Sequence, residues 1–550
     1  MRNFPVQGLI SMRQLTRHSI NFLLFAFLTI VISIPFGAQN AQAQTKVTAF
    51  KQAIAEAAAR DKDIAAFYRA NEYKPIWTGN SGRDRSRRSA LLKVLAQAGV
   101  HGLPVARYDV AGLKAALKAA KTPRERGALE VKISSVFLQY ARDIQTGALI
   151  PSRVDSGIVR AIPYRDRVSY LVNFVKSSPA GFLKALPPKS PEYTRLLKEK
   201  LRLERLLGKG GWGQQVPGKT LKPGATGNAV VILRNRLMAM GFLKRSSTQT
   251  YDANIQKAVQ KFQLTHGLSP DGVIGAGTMT EINVGVQARL QSVIVALERE
   301  RWLNQPLGKR HILVNLTDYS ARIVDNGKVT FQTRTVVGAV ALDRRSPEFS
   351  DVMEHMVINP TWNVPRSIAV KEYLPMFKRN ANAAGHLRLI NGRGQTVSRA
   401  NIDFSQYSAR NFPFDIKQPP SRRNALGLVK FIFPNKYNIY LHDTPAKNLF
   451  TRETRAFSHG CIRLQQPFDF AYALLAKQER NPQAYFKQIL DTGRETVVPL
   501  DVQIPVHIIY RTAFTNAKGP INFRRDVYGR DGRIWNALAK AGVVLRSVGE

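Results

Sequence analysis

Two short segments, Tyr440-Leu441-His442-Asp443-Thr444-Pro445 and Ser458-His459-Gly460-Cys461-Ile462-Arg463-Leu464, enclose the single cysteine of a 550-residue chain. Free cysteine has a pKa near 8.5, so only about 3% is thiolate at neutral pH. An imidazole beside it raises that fraction and can later return the proton. Two histidines are available: His459, two residues before Cys461, and His442, at the end of an apolar run that reads as a strand. A strand end is a rigid platform for a base. Gly460 lets the backbone come close, so N–H groups around Gly460 and Cys461 can hold an oxyanion. On these residues alone three readings stay open. Cys461 is a nucleophile; or Cys461, His459 and His442 bind zinc, with water as fourth ligand and Asp443 orienting one of them; or Cys461 is a buried, inert cysteine among surface histidines. The spacing fits no established metal motif.

Composition narrows the class. Hydrophobic residues make up 44% and charged residues 22%, which excludes a wholly disordered chain, a collagen and a polytopic membrane protein. Lys and Arg number 82 against 38 Asp and Glu, a formal net charge of +44. Such a chain favours polyanions or acidic surfaces. Arg2, Arg13, Arg17 and His18 precede an apolar run from Ile20 to Ile34, and Ala41-Gln42-Ala43 supplies an A-x-A site. This pattern predicts a secretory signal over residues 1–43 and an exported, periplasmic protein. The alternative is an uncleaved N-terminal membrane anchor extended by Pro35 to Ala38. Either way, nucleic acid is not expected as a partner. An exported chain with one cysteine makes no internal disulfide, and its free thiol is a liability unless it has a task.

Outward from the cysteine the texture changes by region. Residues 44–205 read as helical: Leu91, Val94, Leu95 and Ala98 form one stripe, and Leu129, Ile133, Phe137, Tyr140 and Ile144 a stronger one. Tyr68, Tyr73 and Trp77 read as core, and Arg83 to Arg88 as a solvated loop. Lys209 to Gly224, rich in Gly, Pro and Lys, reads as a linker. A module of three helices follows, with Asp252 capping the second and Thr278-Met279-Thr280-Glu281 spaced as a capping box for the third. From His311 the chain reads as strands. Asn326-Gly327 marks one hairpin, and Pro434 to Tyr437 a second. Residues 371–425 show little periodicity and read as a lid. Val502 to Tyr510 reads as a late strand.

Two resemblances attach to these residues. Phe262-Gln263, Gly267-Leu268, Asp271-Gly272 and Gly275 resemble the peptidoglycan-binding domain family of small three-helix modules. Tyr440-x-His442, fifteen intervening residues and Ser458-His459-Gly460-Cys461-Ile462-Arg463 resemble the L,D-transpeptidase catalytic domain, the YkuD-type family. Asn359 to Pro365 and Asn424 to Phe431 look like its large Gram-negative branch, in which a helical scaffold domain and a peptidoglycan-binding domain come first. Ala296 departs from that branch, where Asn is expected.

The resemblance implies a multidomain α+β protein. Its parts would be a helical scaffold domain (44–208), a linker (209–224), a peptidoglycan-binding-like domain (225–290), a mostly-β catalytic domain (308–500) with a capping insertion (371–425), and a C-terminal extension (501–550). It implies Cys461 as nucleophile and His442 as general base and acid. His459, Gly460, Ser458 and Arg463 would support the oxyanion and the loop, and Tyr440 and Trp362 would line the substrate site. No metal or other cofactor is implied. The implied reaction joins peptidoglycan stem peptides 3→3 through a cysteine thioester, with release of D-Ala. The implied partners are a tetrapeptide donor, a diamino acid acceptor, cell-wall glycan and carbapenem-type inhibitors. An L,D-carboxypeptidase or stem-exchange enzyme, a non-catalytic wall-binding scaffold protein and a zinc hydrolase are the alternatives.

Overall fold

The structure is a computed structural model that describes residues 47–218 and 220–546. The secretory segment and its alternative anchor lie outside these residues. Among the described residues no helix is long and apolar enough to cross a membrane.

The N-terminal region is helical, and its longest helix, Pro123–Thr146, carries the predicted stripe into the core. Thr122 and Glu125 close a capping box at its start. Glu130 on this helix is fully buried. Its carboxylate accepts N–H bonds from Ile76 (2.5 Å), Trp77 (2.9 Å) and Thr78 (2.7 Å), which staples an irregular segment to the helix. The arginine run is not a solvated loop. Ser81 caps a helix over Gly82–Ala96, Arg87 is buried against Asp84, and Arg88 donates to the carbonyl of Gly79. A cap and two internal partners make helix the better state for a stretch whose composition reads as loop.

The three-helix module spans Asn228–Ala239, Ala253–Thr265 and Ala276–Ile282. Asp252 caps the second helix as expected, accepting from the N–H groups of Asn254 and Ile255. The capping box at Thr278 does not exist. The third helix starts at Gly275, and Thr278 is buried inside it, accepting from Gln263 at 3.1 Å. Gln263 also donates to Asp271 (2.7 Å) and the Val273 carbonyl (2.9 Å), and accepts from the Gly272 N–H (2.9 Å). The F-Q…D-G pattern is therefore a folding motif: one buried amide satisfies the loop between two helices. The segment read as a linker is pinned to this module, with Val216 bonded in both directions to Asn283.

Strands β1 (Arg310–Asn315), β2 (Ser320–Asp325), β3 (Lys328–Gly338) and β4 (Phe349–Ile358) open the catalytic region. Short strands β5 (Trp362–Asn363), β6 (Arg388–Ile390), β7 (Thr396–Val397) and β8 (Asp415–Gln418) form a separate sheet. Strands β9 (Val429–Ile432), β10 (Leu441–His442), β11 (Ala456–Ser458), β12 (Ile462–Leu464) and β13 (Thr496–Ile509) return to the main sheet. Its order is β11-β3-β12-β10-β9-β4-β13-β1-β2, and a β2–β3 pairing joins the far end back to β3. Asn326 and Gly327 both have positive φ, 50° and 77°, as a tight β2–β3 hairpin requires. The second hairpin closes later than its sequence suggests: β10 pairs with β9 only at Leu441 and His442. The predicted boundary at residue 500 falls inside β13, which lies between β4 and β1. The late apolar strand thus belongs to the barrel and not to an extension.

The β5–β8 sheet and the helical segment Arg366–Arg379 form a folded cap with its own core of Leu374, Phe377, Leu389, Phe404 and Ile416. The cap starts at Trp362, earlier than the weak periodicity predicts. Its return is clamped by Asn424, which donates to the carbonyls of Pro360, Gln418 and Pro419. Helix Val286–Trp302 ends in the buried charges Glu298, Arg299, Glu300 and Arg301. Arg299 meets Glu348 (2.6 Å) and Asp531 (2.8 Å), and Glu348 also meets Arg530 (3.3 Å). This network fastens the helix, the entry to β4 and the C-terminal helix Arg530–Lys540 to one another.

Candidate active site

Parallel pairing of β10 with β12 sets Leu441 against Ile462 and His442 against Arg463. The Ile462 N–H donates to the Tyr440 carbonyl at 3.0 Å, so the register extends back to Tyr440 and Cys461. Side chains alternate along a strand. Leu441, Ile462 and Leu464 therefore fill the barrel core, fully buried, while Tyr440, His442, Cys461 and Arg463 share the opposite face. All four line one cavity of about 490 Å³, together with Ser458, His459 and Trp362. Every side chain expected at the site is brought there; Gly460 contributes backbone only.

The loop before Cys461 is held by a chain of hydroxyls. The Ser458 hydroxyl donates to the Cys461 carbonyl (2.5 Å) and accepts from the Gly460 N–H (3.1 Å). The Ser346 hydroxyl donates to the Gly460 carbonyl (2.6 Å) and accepts from the Gly338 N–H (2.9 Å). Gly460 has φ +116°, and a Cβ there would lie 3.0 Å from Ile439 Cδ1, so glycine is required. Its N–H is already engaged by Ser458, which removes one of the two oxyanion donors read from the sequence.

Burial pushes the Cys461 thiol up to about 11, against donors from Tyr440 and the Arg463 charge that would favour the thiolate. The thiol donates to the Asn438 carbonyl at 3.4 Å. Burial, helped by the Arg463 charge, pushes His442 down to about 3. Its Nδ1 is buried with no hydrogen-bond partner among the described residues. At neutral pH the pair is therefore neutral thiol and neutral imidazole. Alkylation of Cys461 by iodoacetamide should be slow at pH 7 and rise about tenfold per pH unit to beyond pH 9. A plateau reached by pH 8 would show a pre-formed thiolate and overturn this picture.

Asp443 does not serve His442. Its carboxylate accepts from the Leu428 N–H (3.0 Å) and Lys447 (2.6 Å) and so fixes the turn at Gly427. Among the described residues no three His, Cys, Asp or Glu side chains gather at metal-binding spacing. His459 turns instead to the cap: its Nε2 lies 2.6 Å from Glu372, which also meets Arg344 at 2.7 Å. Glu372, Arg344 and Ser346 are the contributors that sequence reasoning missed. They lie more than 80 residues before the motif, and nothing local marks them.

Residues 309–498 match the family of the L,D-transpeptidase catalytic domain. Residues 226–282 match a family described as "Putative peptidoglycan binding domain", and residues 62–201 the scaffold domain. A Haemophilus influenzae protein described as "Putative L,D-transpeptidase" is 30% identical over 225 residues. The match covers 40% of this chain and 45% of that relative, so the chain spans less than half of its length. Two solved L,D-transpeptidases are also similar. The one from Stackebrandtia nassauensis is 15% identical with TM-score 0.21, over 52% of this chain and 94% of that one. The one from Xylanimonas cellulosilytica is 16% identical with TM-score 0.16, over 53% and 98%. With the S-H-G-C segment near its end, the stretch 309–498 is an L,D-transpeptidase catalytic domain of the YkuD type, a cysteine-dependent acyltransferase domain.

Proposed function

We propose that this protein is an exported peptidoglycan L,D-transpeptidase that forms 3→3 cross-links, with Cys461 as nucleophile and His442 as base and acid. The observation that carries the reading is the placement of both side chains on one face of a parallel strand pair, lining one cavity. A cell-wall enzyme outside the cytoplasm has no ATP, so it must conserve the energy of an existing peptide bond. Cys461 Sγ attacks the carbonyl between the diamino acid and D-Ala of a tetrapeptide stem, and His442 takes the thiol proton. Collapse of the tetrahedral intermediate breaks the C–N bond, and His442 returns the proton to the departing D-Ala amine. The thioester keeps the acyl group activated. The side-chain amine of a second stem attacks it, His442 accepts the amine proton, and the thiol leaves protonated. The Cys461 N–H and the Tyr440 hydroxyl are the oxyanion donors in this scheme, Trp362 bounds the substrate site, and Arg463 meets a substrate carboxylate.

Hydrolysis of the thioester would yield an L,D-carboxypeptidase instead. One observation favours some leakage of this kind. The cap is latched to the motif loop by Glu372, whose contacts to His459 and Arg344 are about one-third exposed, and exposed polar and ionic contacts hold only about 0–1 kcal/mol each. Glu372→Gln should shift the products from cross-linked dimer towards tripeptide monomer, because a looser cap admits water. An unchanged ratio would remove the cap from the partition. The defining experiment incubates purified protein with disaccharide-tetrapeptide and reads the products by mass spectrometry. A dimer that has lost one D-Ala supports the transpeptidase; tripeptide alone supports the carboxypeptidase. No product would favour the wall-binding scaffold.

A further inference from the structure

A second cleft, of about 380 Å³, lies between the three-helix module and the barrel. Ligand sites are commonly about 300–1,000 Å³. One wall is the motif loop of the module around Leu264, Leu268 and Pro270; the other is Thr451 to Arg455, within the spacer that joins His442 to Cys461. The walls touch where the Ser269 N–H donates to Glu453 at 2.8 Å.

Five arginines face this cleft, against the carboxylates of Asp318 and Glu453. Two are neutralised: Arg524 by Asp318 (2.6 Å) and Arg525 by Glu281 (3.0 Å). The other three have no carboxylate partner among the described residues. Arg455 gives its donors to the carbonyls of Thr335, Arg452 and Tyr319. Arg334 reaches only the Phe450 carbonyl, at 3.3 Å. Arg452 stacks over Phe457, 5.4 Å from the ring centre. Arg334 and Arg452 are exposed, so their forks are free to take a ligand. A guanidinium fork matches a carboxylate with two parallel hydrogen bonds. Leu264, Leu268 and Pro270 put apolar surface beside these charges, which suits a peptide with both methyl groups and carboxylates. The cleft is walled on both sides and so fits a short peptide better than a flat lipid surface.

We propose that this cleft is a second binding site for an acidic, carboxylate-bearing peptide, a peptidoglycan stem other than the one being acylated. The proposal rests on the reading of peptidoglycan as substrate. It gives the spacer loop a function: Arg452, with Arg334 of β3 beside it, grips a neighbouring stem on one side, Arg455 braces the loop through its carbonyl contacts, and β11 leads directly to the nucleophile loop on the other. A strand of three residues spans about 10 Å, so a stem seated here lies within one peptide length of the acyl site.

The test uses the full protein with Cys461 already acylated by a carbapenem, so that the catalytic cavity is blocked and remaining binding reports the cleft. Affinity for soluble disaccharide-tetrapeptide, and for the same compound with its carboxyls amidated, is measured in the wild type and in the double variant R334Q/R452Q. We expect about tenfold weaker binding of the carboxylate form by the variant, since two exposed ion pairs are lost, and no change for the amidated form. Carbapenem acylation of Cys461 should proceed at the wild-type rate in the variant, which shows an intact fold. Equal binding of the carboxylate form by both proteins would overturn the proposal. So would an equal loss for both forms of the ligand, or displacement of the peptide by inorganic phosphate at the peptide's own affinity, which would mark a phosphate site. Turnover of tetrapeptide by the unblocked wild type is read separately. Its absence would remove the peptidoglycan reading itself, whereas turnover with unchanged binding in the variant would remove only the cleft.

Discussion

Cys461→Ala should yield a folded protein that releases no D-Ala and forms no cross-linked dimer. The thiol gives a long contact to the Asn438 carbonyl and receives donors from Tyr440, and the residue is only partly buried. Its loss should therefore change stability by less than about 1 kcal/mol. No other nucleophile in the cavity can take over, because the Ser458 hydroxyl is committed to the Cys461 carbonyl and the Gly460 N–H. His442→Gln keeps most of the volume but removes the base, and turnover should fall by about 10²–10⁴-fold. Intact-mass measurement of carbapenem adducts separates the two variants: none on Cys461→Ala, slow accumulation on His442→Gln. Wild-type cross-linking by Cys461→Ala would require a different nucleophile and would sink the mechanism.

The second large effect concerns stability. Glu348 is almost fully buried and faces the guanidinium groups of Arg299 and Arg530. Removing it leaves two buried guanidinium groups with only Asp531 and Asp155 as carboxylate partners, and breaking a buried pair costs about 3–5 kcal/mol. Glu348→Ala should destabilise the protein by that order, seen as an earlier denaturant midpoint. The damage should also reach the chemistry. Arg530 donates to the Ser346 carbonyl at 3.0 Å, and the Ser346 hydroxyl holds the Gly460 carbonyl. Carbapenem acylation of Glu348→Ala should thus be slower even in the temperature range where the variant is folded. A change below about 1 kcal/mol with wild-type acylation would show that the network is dispensable.

Sequence reading found the parts of the site that chemistry confines to short segments. The S-H-G-C motif, His442 and Tyr440 are near neighbours, and the roles proposed for them require particular residue types. The Asn326-Gly327 turn and the stripe of Pro123–Thr146 were legible for the same reason: the cause is local. What escaped was set by distant partners. The helix at Gly82–Ala96 depends on Arg87 and Arg88 finding internal partners. Thr278 is claimed by Gln263, fifteen residues earlier, and so is unavailable as a cap. The cap resisted reading because its core is gathered from Val364 to Ile416 in short strands and short helical pieces, none long enough to show a period. Glu372 reaches His459 across 87 residues. The engaged Gly460 amide could not be anticipated, because the motif looks the same whether that N–H is free or bonded.

The position of β13 has a consequence for how the chain is assembled. β13 pairs with β4 on one side and β1 on the other. Until residues near 509 emerge, both neighbours present bare edges, which invite pairing with other chains. At about 5–20 residues per second, the roughly 190 residues between β1 and the end of β13 take about 10–40 s to synthesise. During that interval the barrel has a slot in its wall, and the platform that carries Cys461 lacks its closing strand. A nascent chain of this design benefits from being kept extended until it is complete. The wall around its cysteine closes only when that strand slides into the middle of the sheet.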